Sequence, residues 1–254
     1  MNIIVCAKQV VDVSEIKVDP GTKKPIIAGV PQKISDIDKN ALEEAIKIKE
    51  KHGGKITVLT VGPADAKDRM KELLAMGADE GILVNIPQNA DYNVVSHLLA
   101  GAIKKIGTYN IVLCGEASID MFSGQMGPRV AGLLNIPQIT YAQNVNVEKD
   151  KVLSDRNLGD KTVTMESPFP VLITVTKEIN VPRLPSLMQI LQSNAKPIHD
   201  WKAEELAPGK LEPKIKTLDV KGVPMARKNV VFKDDVDKSV ASLVDELAKS
   251  GVLR

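Results

Sequence analysis

Short apolar runs alternate with amphipathic stretches over the first two thirds of the chain. The apolar runs are nearly continuous, which is typical of strands buried on both faces. They occupy residues 2–7, 55–61, 81–84 and 110–114. Between and after them apolar residues recur at helical spacing and predict helices, which span 36–51, 64–76, 93–104 and 123–134. This alternation indicates βαβ units and a mainly parallel sheet of an α/β fold, with ligand sites in the loops that follow the carboxyl ends of the strands.

The pattern changes after Pro137. Apolar and polar residues alternate through 138–147, 151–155 and 161–166, which predicts an antiparallel extension of the same sheet, and 171–176 is a last apolar strand. Residues 180–223 contain five prolines, show weak periodicity, and are predicted to be an interaction arm or disordered. These prolines are Pro182, Pro185, Pro197, Pro208 and Pro213.

Helical spacing returns at 236–249, where Val240, Leu243, Val244 and Leu247 form one apolar stripe. The apolar stripe of such a helix must be covered. After a long arm, the helix can pack on a distant face of its own domain or on another chain. We therefore predict two units, an α/β domain over 1–179 and an arm with a terminal helix over 180–254.

Composition narrows the chemistry. The 34 basic and 32 acidic residues give a net charge of +2, so nucleic acid is not the expected partner. No apolar run approaches the ~20 residues of a membrane helix, and the short apolar start has no basic segment before it, unlike a signal peptide. Two cysteines and three scattered histidines predict neither a disulfide framework nor a metal site. A reducing cytoplasm is the expected compartment.

The segment 112–134 is the strongest candidate for binding a phosphate, although the chain has no Walker A sequence and no G-x-G-x-x-G. Its small residues let the backbone approach a ligand, and Ser123 and Gly124 stand where the helix is predicted to begin, so that free N–H groups form an anion site. Asp120 is a candidate to bond a ribose hydroxyl or backbone N–H groups. The alternative is an ordinary strand-to-helix loop with a serine N-cap.

Two further loops follow predicted strands. In 34–39, Asp36 and Asp38 either only cap the next helix or help to hold the adenosine end of a nucleotide. In 61–63, Pro63 is predicted near the first position of a helix. Because these loops belong to one parallel sheet, they are predicted to line one crevice with 112–134.

Two other pairs of residues allow simple interpretations. Lys8 and Asp12 are candidates to pair with each other or with a partner, and the alternative is a solvated surface role. Cys6 and Cys114 are interpreted as small core residues rather than nucleophiles, and no histidine falls within the predicted crevice to complete a catalytic triad.

Several motifs in a fixed order resemble the beta subunit of electron transfer flavoproteins along nearly the whole chain. They are CAKQVVD (6–12), DKNALEEAIKIKEK (38–51), VGPADA (61–66), LLAMGADEGILV (73–84), LCGEASIDMFSGQMGPRVAGLLNIPQITYA (113–142) and NVPRLPSLMQIL (180–191). The resemblance implies a three-layer Rossmann-like fold of the adenine nucleotide alpha hydrolase type, an alpha-subunit partner, and an electron carrier rather than a freestanding enzyme. The 113–142 loop looks like that of bifurcating and nitrogen-fixation-associated members.

The resemblance also implies a nucleotide in the crevice, AMP in one branch of the family and a second FAD in the bifurcating branch. The matching positions are Cys6, Ala7, Ser35, Asp36, Ile37, Asp38, Val61, Gly62, Gly115, Glu116, Ala117, Asp120, Ser123, Gly124 and Gln125. The loop departs from those relatives at Met121 and Phe122, where they tend to carry Gly and Asp, and at Glu116, where arginine is common. Leu187 matches the leucine with which the family's recognition loop contacts dehydrogenases or other redox partners; the alternative is that it packs into its own domain.

Two rival interpretations come from other classes of protein. A homodimeric nucleotide-binding regulatory module, similar to universal stress proteins, has a comparable α/β build but does not need the long arm and terminal helix. A nucleotide-activating enzyme such as an ATP pyrophosphatase is disfavoured because no S-G-G-x-D-S loop occurs.

Overall fold

The described part of the chain is built around a nine-stranded sheet. The structure, a computed structural model, describes residues 1–86, 90–207, 209, 211–223 and 229–253. The nine strands follow one another along the chain as β1 (Asn2–Cys6), β6 (Lys55–Gly62), β7 (Glu80–Asn85), β8 (Ile111–Gly115), β9 (Gln138–Val147), β10 (Lys151–Asn157), β11 (Thr162–Pro168), β12 (Val171–Val175) and β13 (Ile198–Lys202). Two small antiparallel pairs lie between β1 and the first helix, formed by β2 (Gln9–Val11) with β5 (Gln32–Ile34) and by β3 (Lys17–Val18) with β4 (Pro25–Ile26).

The described helices are α1 (Asp36–His52), α2 (Ala66–Met76), α3 (Tyr92–Ile106), α4 (Met126–Leu134), α5 (Leu187–Ser193) and α6 (Val236–Lys249). Helices α1 and α2 cover one face of the sheet, and α3 and α4 cover the other. Leu42 of α1 and Leu73 of α2 share one apolar cluster with Ile3 and Val5 of β1, whereas Leu98 of α3 shares the other with the intervening residues of that strand. The alternate residues of a strand therefore enter different helical layers, and the predicted three-layer α/β architecture is confirmed.

The order of the strands is β11-β10-β9-β12-β8-β1-β6-β7-β13. From β1 the chain proceeds outward to β6 and β7, then crosses to the other side of β1 to form β8 and β12, all in parallel. The direction of winding thus reverses between β1 and β8, and such a switch point opens a crevice at the carboxyl ends of the strands. Strands β9, β10 and β11 form the predicted antiparallel extension.

The arm after residue 180 contains more regular structure than its sequence predicts. Helix α5 lies within it, and β13 pairs in parallel with β7 as an edge strand of the main sheet. The sequence IHDWK lacks the alternation of a typical strand, so the pairing depends on the open edge of β7. The division at residue 179 stays a prediction, and Pro208 of the arm lies outside the described residues.

Two predicted helix starts and one predicted N-cap were wrong in detail. Helix α4 begins at Met126 rather than Ser123, because Gly124 has a φ of 63° and Phe122 a φ of 45°, which are incompatible with a helix. Helix α2 begins at Ala66, so Pro63 precedes a turn instead of occupying the first helical position. Helix α1 has Ser35 at its N-cap, so neither Asp36 nor Asp38 occupies that position.

Helix α6 has the bounds predicted for it and buries none of its side chains in this chain. Its apolar stripe is open, with Leu243 and Val244 each nearly half exposed. No helix in the described parts of the chain is long and apolar enough to cross a membrane.

Candidate functional site

Four of the predicted segments meet at the carboxyl edge of the sheet around the switch point. Ala7 follows β1, Gly62 ends β6, Gly115 ends β8, and Ser35 begins α1. Strands β8, β1 and β6 are neighbours, so their ends are adjacent. The structure therefore brings the three predicted loops into one crevice, as their position in a parallel sheet indicates.

Asp38 joins the two strands on either side of the switch point. Its Oδ2 accepts the backbone N–H of Lys8 at 2.9 Å, and its Oδ1 accepts the backbone N–H of Gly115 at 3.1 Å. The carboxyl group therefore binds the backbone at the ends of β1 and β8 and does not cap its own helix. Burial raises the pKa of Asp38 to about 7, although the two N–H bonds act in the opposite direction.

Space around this carboxyl group is filled. A Cβ added to Gly115 would lie 2.7 Å from Asp38 Oδ1 and 3.0 Å from Ile37 Cγ2. Only glycine lets β8 end this close to α1. Ile37 itself is buried, so it shapes the floor of the crevice beside Asp38.

A salt bridge spans the crevice above this contact. Lys8 Nζ lies 2.7 Å from Asp120 Oδ2 and 3.4 Å from Ser118 Oγ, joining the segment after β1 to the loop after β8. The suggested pairing of Lys8 with Asp12 was wrong, because Asp12 contacts Lys33 at 3.4 Å. Asp120 was a predicted site residue and Lys8 was not. The signal that could have identified Lys8 is a cation directly after the first buried strand.

Ser35 has a buried hydroxyl group with an open hydrogen-bonding capacity. Its side chain is fully buried, makes no capping bond to α1, and its Oγ has no partner among the described residues. Its backbone N–H donates to the carbonyl of Lys8 at 3.0 Å, which fixes the hydroxyl beside the end of β1. Buried hydroxyl groups are normally hydrogen-bonded, so this unpartnered atom is a candidate polar contact for a ligand. Asp36, next to it, points outward and pairs with Lys33 at 3.0 Å.

The loop between β8 and α4 covers the other side of the crevice. Glu116, Ala117, Ser123 and Gly124 are half-buried, and Gln125 is exposed at the N-cap position of α4. The helix therefore begins three residues beyond the predicted start, and any anion at this terminus would be contacted by the segment that begins at Gln125.

The acidic residue Glu116 gives this loop an unexpected charge. Burial raises the pKa of its carboxyl group, and the nearby Glu178 raises it further. A negative charge here opposes a phosphate, so the more readily this side chain takes up a proton, the better the loop tolerates an anion.

The remaining predicted positions contribute backbone rather than reactive side chains. Cys6 and Cys114 are neighbours across β1 and β8, and both side chains belong to the apolar cluster under α3 and α4. Burial raises the pKa of Cys6 to about 12 and that of Cys114 well above its ordinary value, so neither is a nucleophile at neutral pH. Val61 is half-buried against the same cluster.

These features are compatible with a ligand at the switch point. In open α/β sheets, ligands bind in the crevice outside the carboxyl ends of the strands at such a point. The described residues contain no group of three or more His, Cys, Asp or Glu side chains arranged to hold a metal ion.

A separate cavity of about 460 Å³ lies at the opposite, amino ends of the strands. Its charged side chains are already paired: Lys55 contacts Glu80 at 2.7 Å, and Lys105 contacts Glu205 at 2.7 Å. Lys105 also lies over the ring of Trp201, 4.5 Å from its centre. This cavity therefore lies away from the switch point, and its lysines already have acidic partners.

The arm presents the second candidate site. Leu187 is the first residue of α5 and is 73% exposed, so it does not pack into its own domain in this structure. Ser186 caps the helix with a capping box that includes Gln189. Val181 and Leu184, earlier in the arm, are more exposed still.

Comparisons with known proteins agree with this arrangement. The sequence model for the electron transfer flavoprotein domain matches residues 26–206. The chain is 41% identical to an electron transfer flavoprotein subunit beta of Thermoanaerobacterium thermosaccharolyticum, over the full length of both. It is 38% identical to the caffeyl-CoA reductase-Etf complex subunit CarD of Acetobacterium woodii, covering 81% of this chain and 80% of that one, and 35% identical to the acryloyl-CoA reductase electron transfer subunit gamma of Anaerotignum propionicum, over the full length of both.

Proposed function

The chain belongs to the electron transfer flavoprotein family, as a beta subunit with a role in electron transfer, and on this premise we propose that it pairs with an alpha subunit and binds an adenine nucleotide in its crevice. The nucleotide is FAD or AMP. The interpretation as a homodimeric regulatory module is not favoured, because the relatives that cover the full length carry electron-transfer names.

The observation that carries the nucleotide proposal is the contact of Asp38 with both Lys8 and Gly115. It fixes the strand ends at the switch point, so that the loops around the crevice are formed before any ligand binds. Ser35 Oγ provides a polar contact within the crevice, and the Gly115–Gln125 loop encloses the ligand from the other side. A bound FAD supplies the electron-carrying ring; the residues of this chain bind it, orient it and limit its contact with water.

The role of the chain is that of a carrier subunit. None of the predicted site residues forms a nucleophile with an adjacent base, and the buried cysteines are protonated at neutral pH. We propose that electrons reach or leave the heterodimer through a redox enzyme that docks on the arm around Leu187. Because the names of two relatives include CoA-thioester reductases, we propose an acyl-CoA reductase or dehydrogenase as that enzyme.

The nucleotide assignment is tested on the heterodimer co-expressed with its alpha subunit. Nucleotides are released with acid, separated by chromatography and counted per heterodimer, which also distinguishes FAD from AMP. Gly115→Ala pushes a Cβ against Asp38 and should remove one nucleotide per heterodimer, as should the bulky Ser123→Leu.

The matched control is Gly132→Ala, because a Cβ at Gly132 of α4 meets no atom within 4 Å. This variant should keep the wild-type nucleotide content. Unchanged content in both Gly115→Ala and Ser123→Leu, with the fold retained, would contradict the assignment of the crevice.

The docking assignment is tested with Leu187→Ala. Loss of a buried anchor should cost about 1–3 kcal/mol of partner affinity, while flavin content should stay at the wild-type level because the Leu187 side chain is exposed in this chain. The measurement is the rate of electron exchange with the reductase as a function of its concentration, followed by flavin absorbance. Leu158→Ala, at an exposed position beside the turn between β10 and β11, is the control and should leave the concentration dependence unchanged.

A further inference from the structure

The base of the arm is fixed to helix α1 by a polar cluster that the nucleotide site does not use. We propose that Arg183 and Asn180 are positioning residues, which hold Leu187 in the orientation that the redox enzyme requires. This inference rests on the proposed docking role of Leu187. It assigns to α1 a second task besides shaping the crevice.

Arg183 binds two carboxylates of α1 at once. Its Nε and Nη2 donate to Glu43 at 2.9 and 3.0 Å, and its Nη1 and Nη2 donate to Glu50 at 2.6 and 3.2 Å. Its backbone N–H also donates to Glu43 Oε2 at 3.1 Å. The planar guanidinium group is therefore held in a forked geometry that fixes both its position and its direction.

Asn180 makes a second attachment one turn earlier along α1. Its Nδ2 donates to the carbonyl of Asn40 at 3.1 Å and to Glu44 Oε2 at 3.1 Å. In return, Asn40 Nδ2 donates to the backbone carbonyl and the side-chain oxygen of Asn180 at 2.8 and 3.0 Å. The exchange fixes the backbone of the arm as well as its side chain.

Burial makes the loss of these contacts energetically costly. The side chain of Glu43 is only 5% exposed, and Asn40 and Glu44 are buried as well. Buried charges are stable only when they are paired, so α1 keeps the arm in place because its own carboxylates need the arm. The two glutamates raise the pKa of the Arg183 guanidinium, which remains charged at all relevant pH values.

The far end of the segment is attached too. Lys196 Nζ donates to the carbonyls of Leu74 and Ala78, at the C-terminal end of α2, at 2.8 and 2.7 Å. Ser193, the last residue of α5, is buried, and β13 follows on the sheet edge. The apolar residues between these two attachments are exposed, although the segment that carries them is fastened at both ends.

A docking element that is already ordered loses less conformational entropy on binding. This accounts for the combination of buried polar contacts at the base and exposed apolar side chains at the tip. A flexible arm with the same leucine would offer the same contact area but would bind more weakly.

The experiment uses the heterodimer and, as the docking probe, caffeyl-CoA reductase or acryloyl-CoA reductase, whichever exchanges electrons with the wild type. Arg183→Gln should raise the half-saturating reductase concentration about tenfold and leave the plateau rate and flavin content unchanged. Arg183→Lys keeps the positive charge but loses the bidentate geometry. Its half-saturating reductase concentration should lie between those of the wild type and Arg183→Gln. Arg156→Gln removes another half-buried guanidinium group, which binds Thr140 on the antiparallel extension, and should have no effect on docking.

Two measurements distinguish positioning from a general structural role. Chymotrypsin should cleave native Arg183→Gln heterodimer after Leu187 faster than wild type, because the arm is released from α1. In a Leu187→Ala background, Arg183→Gln should change the half-saturating concentration less than about twofold, since the two residues act through one contact. If Arg183→Gln lowers the yield of folded protein, Glu50→Gln frees the same guanidinium group from its exposed partner, and an increase of about threefold is expected.

The outcomes separate the two proposals. If Leu187→Ala raises the half-saturating concentration and Arg183→Gln and Glu50→Gln do not, the positioning role is overturned while docking at Leu187 stands. If Arg183→Gln and Leu187→Ala have fully additive effects, Arg183 acts elsewhere and the inference also fails. If Leu187→Ala has no effect, or neither reductase exchanges electrons with the wild type, the proposed docking function itself is overturned.

Discussion

The carboxyl edge of the sheet and the C-terminal region satisfy their side chains in different ways. At the carboxyl edge, Asp38 is buried and each of its oxygens accepts a backbone N–H of the same chain. In the C-terminal region, Leu187 is 73% exposed, and α6 buries none of its side chains. The buried carboxyl group of the first region has its partners within this chain, whereas the second region presents apolar side chains that nothing in the described part of this chain covers.

This difference implies that the two regions respond to different perturbations. A change at the crevice should alter the stability of the chain itself. A change at the exposed apolar side chains of the C-terminal region, such as those of Leu187 and α6, should leave that stability alone and alter association. Four predictions test the contrast, beginning with the largest expected effect.

Asp38→Asn should produce the largest loss of stability, about 3 kcal/mol in the free energy of unfolding, because an amide cannot accept both N–H groups and one of them is left buried without a partner. Denaturant unfolding of the heterodimer with an unchanged m-value measures this loss. Asp36→Asn, two residues away on the exposed side of α1, is the control and should cost less than about 0.5 kcal/mol. Equal effects of the two changes would contradict this prediction, because the buried contacts of Asp38 would then contribute no more to stability than an exposed carboxylate does.

The apolar stripe of α6 provides the second prediction. We expect α6 to pack on the alpha subunit, so Leu243→Asp should weaken the heterodimer by about 2–3 kcal/mol, on the order of 30- to 100-fold in Kd. Ser242→Asp places the same charge on the polar face and should leave the Kd close to that of the wild type. The Kd is measured by titration of the separated subunits; equal losses in the two variants would show that the stripe is not the contact.

The pH dependence of stability is the third. Because the pKa of Asp38 is raised to about 7 in the folded chain, the folded state retains a proton that the unfolded state loses near its ordinary value of 3.8. The contribution of this group to stability is therefore greatest below pH 4 and declines as the pH rises to about 7. The wild type minus Asp38→Asn difference in unfolding free energy, measured from pH 4 to 8, should fall across this window. A difference that stays constant would contradict the raised pKa.

The smallest effect is expected at Lys8, whose salt bridge with Asp120 is partly exposed to solvent. Lys8→Gln should cost less than about 1 kcal/mol of stability, because the backbone of Lys8, not its ammonium group, is bound by Asp38 and Ser35. Thermal unfolding at low and high salt measures this. A loss of stability as large as that of Asp38→Asn would show that the Lys8–Asp120 salt bridge, and not the buried contacts of Asp38, holds the crevice together.

Much of the fold could be predicted from periodicity, since the parallel strands are apolar throughout and the helices have clear stripes. Helix α6 was placed at its observed bounds because its stripe is uninterrupted. Strand β13 was not predicted because its sequence has no period of two. Helix α5 was not predicted because seven residues are too few to establish a helical period. In both cases tertiary contacts outweigh local pattern.

The candidate site shows the same limit more sharply. The three loops could be placed at one edge, because parallel strands share their carboxyl ends. The role of Asp38 could not be assigned, since capping and long-range binding use the same residue type, and only the approach of Gly115 to α1 distinguishes them. The start of α4 was misplaced because Gly124, inside the predicted helix, has a φ of 63°, and its residue type alone does not indicate which of its accessible backbone conformations it adopts.

The pairing of β13 with β7 also bears on how the chain folds. Gly81 lies opposite Ile198, so the partner of β7 is synthesised long after β7 itself. Until then, the outer edge of β7 presents unpaired N–H and C=O groups of the kind that recruit strands from other molecules. The arm thus closes this edge of the sheet, and shortened chains that end before β13 should aggregate even though their nucleotide crevice is intact.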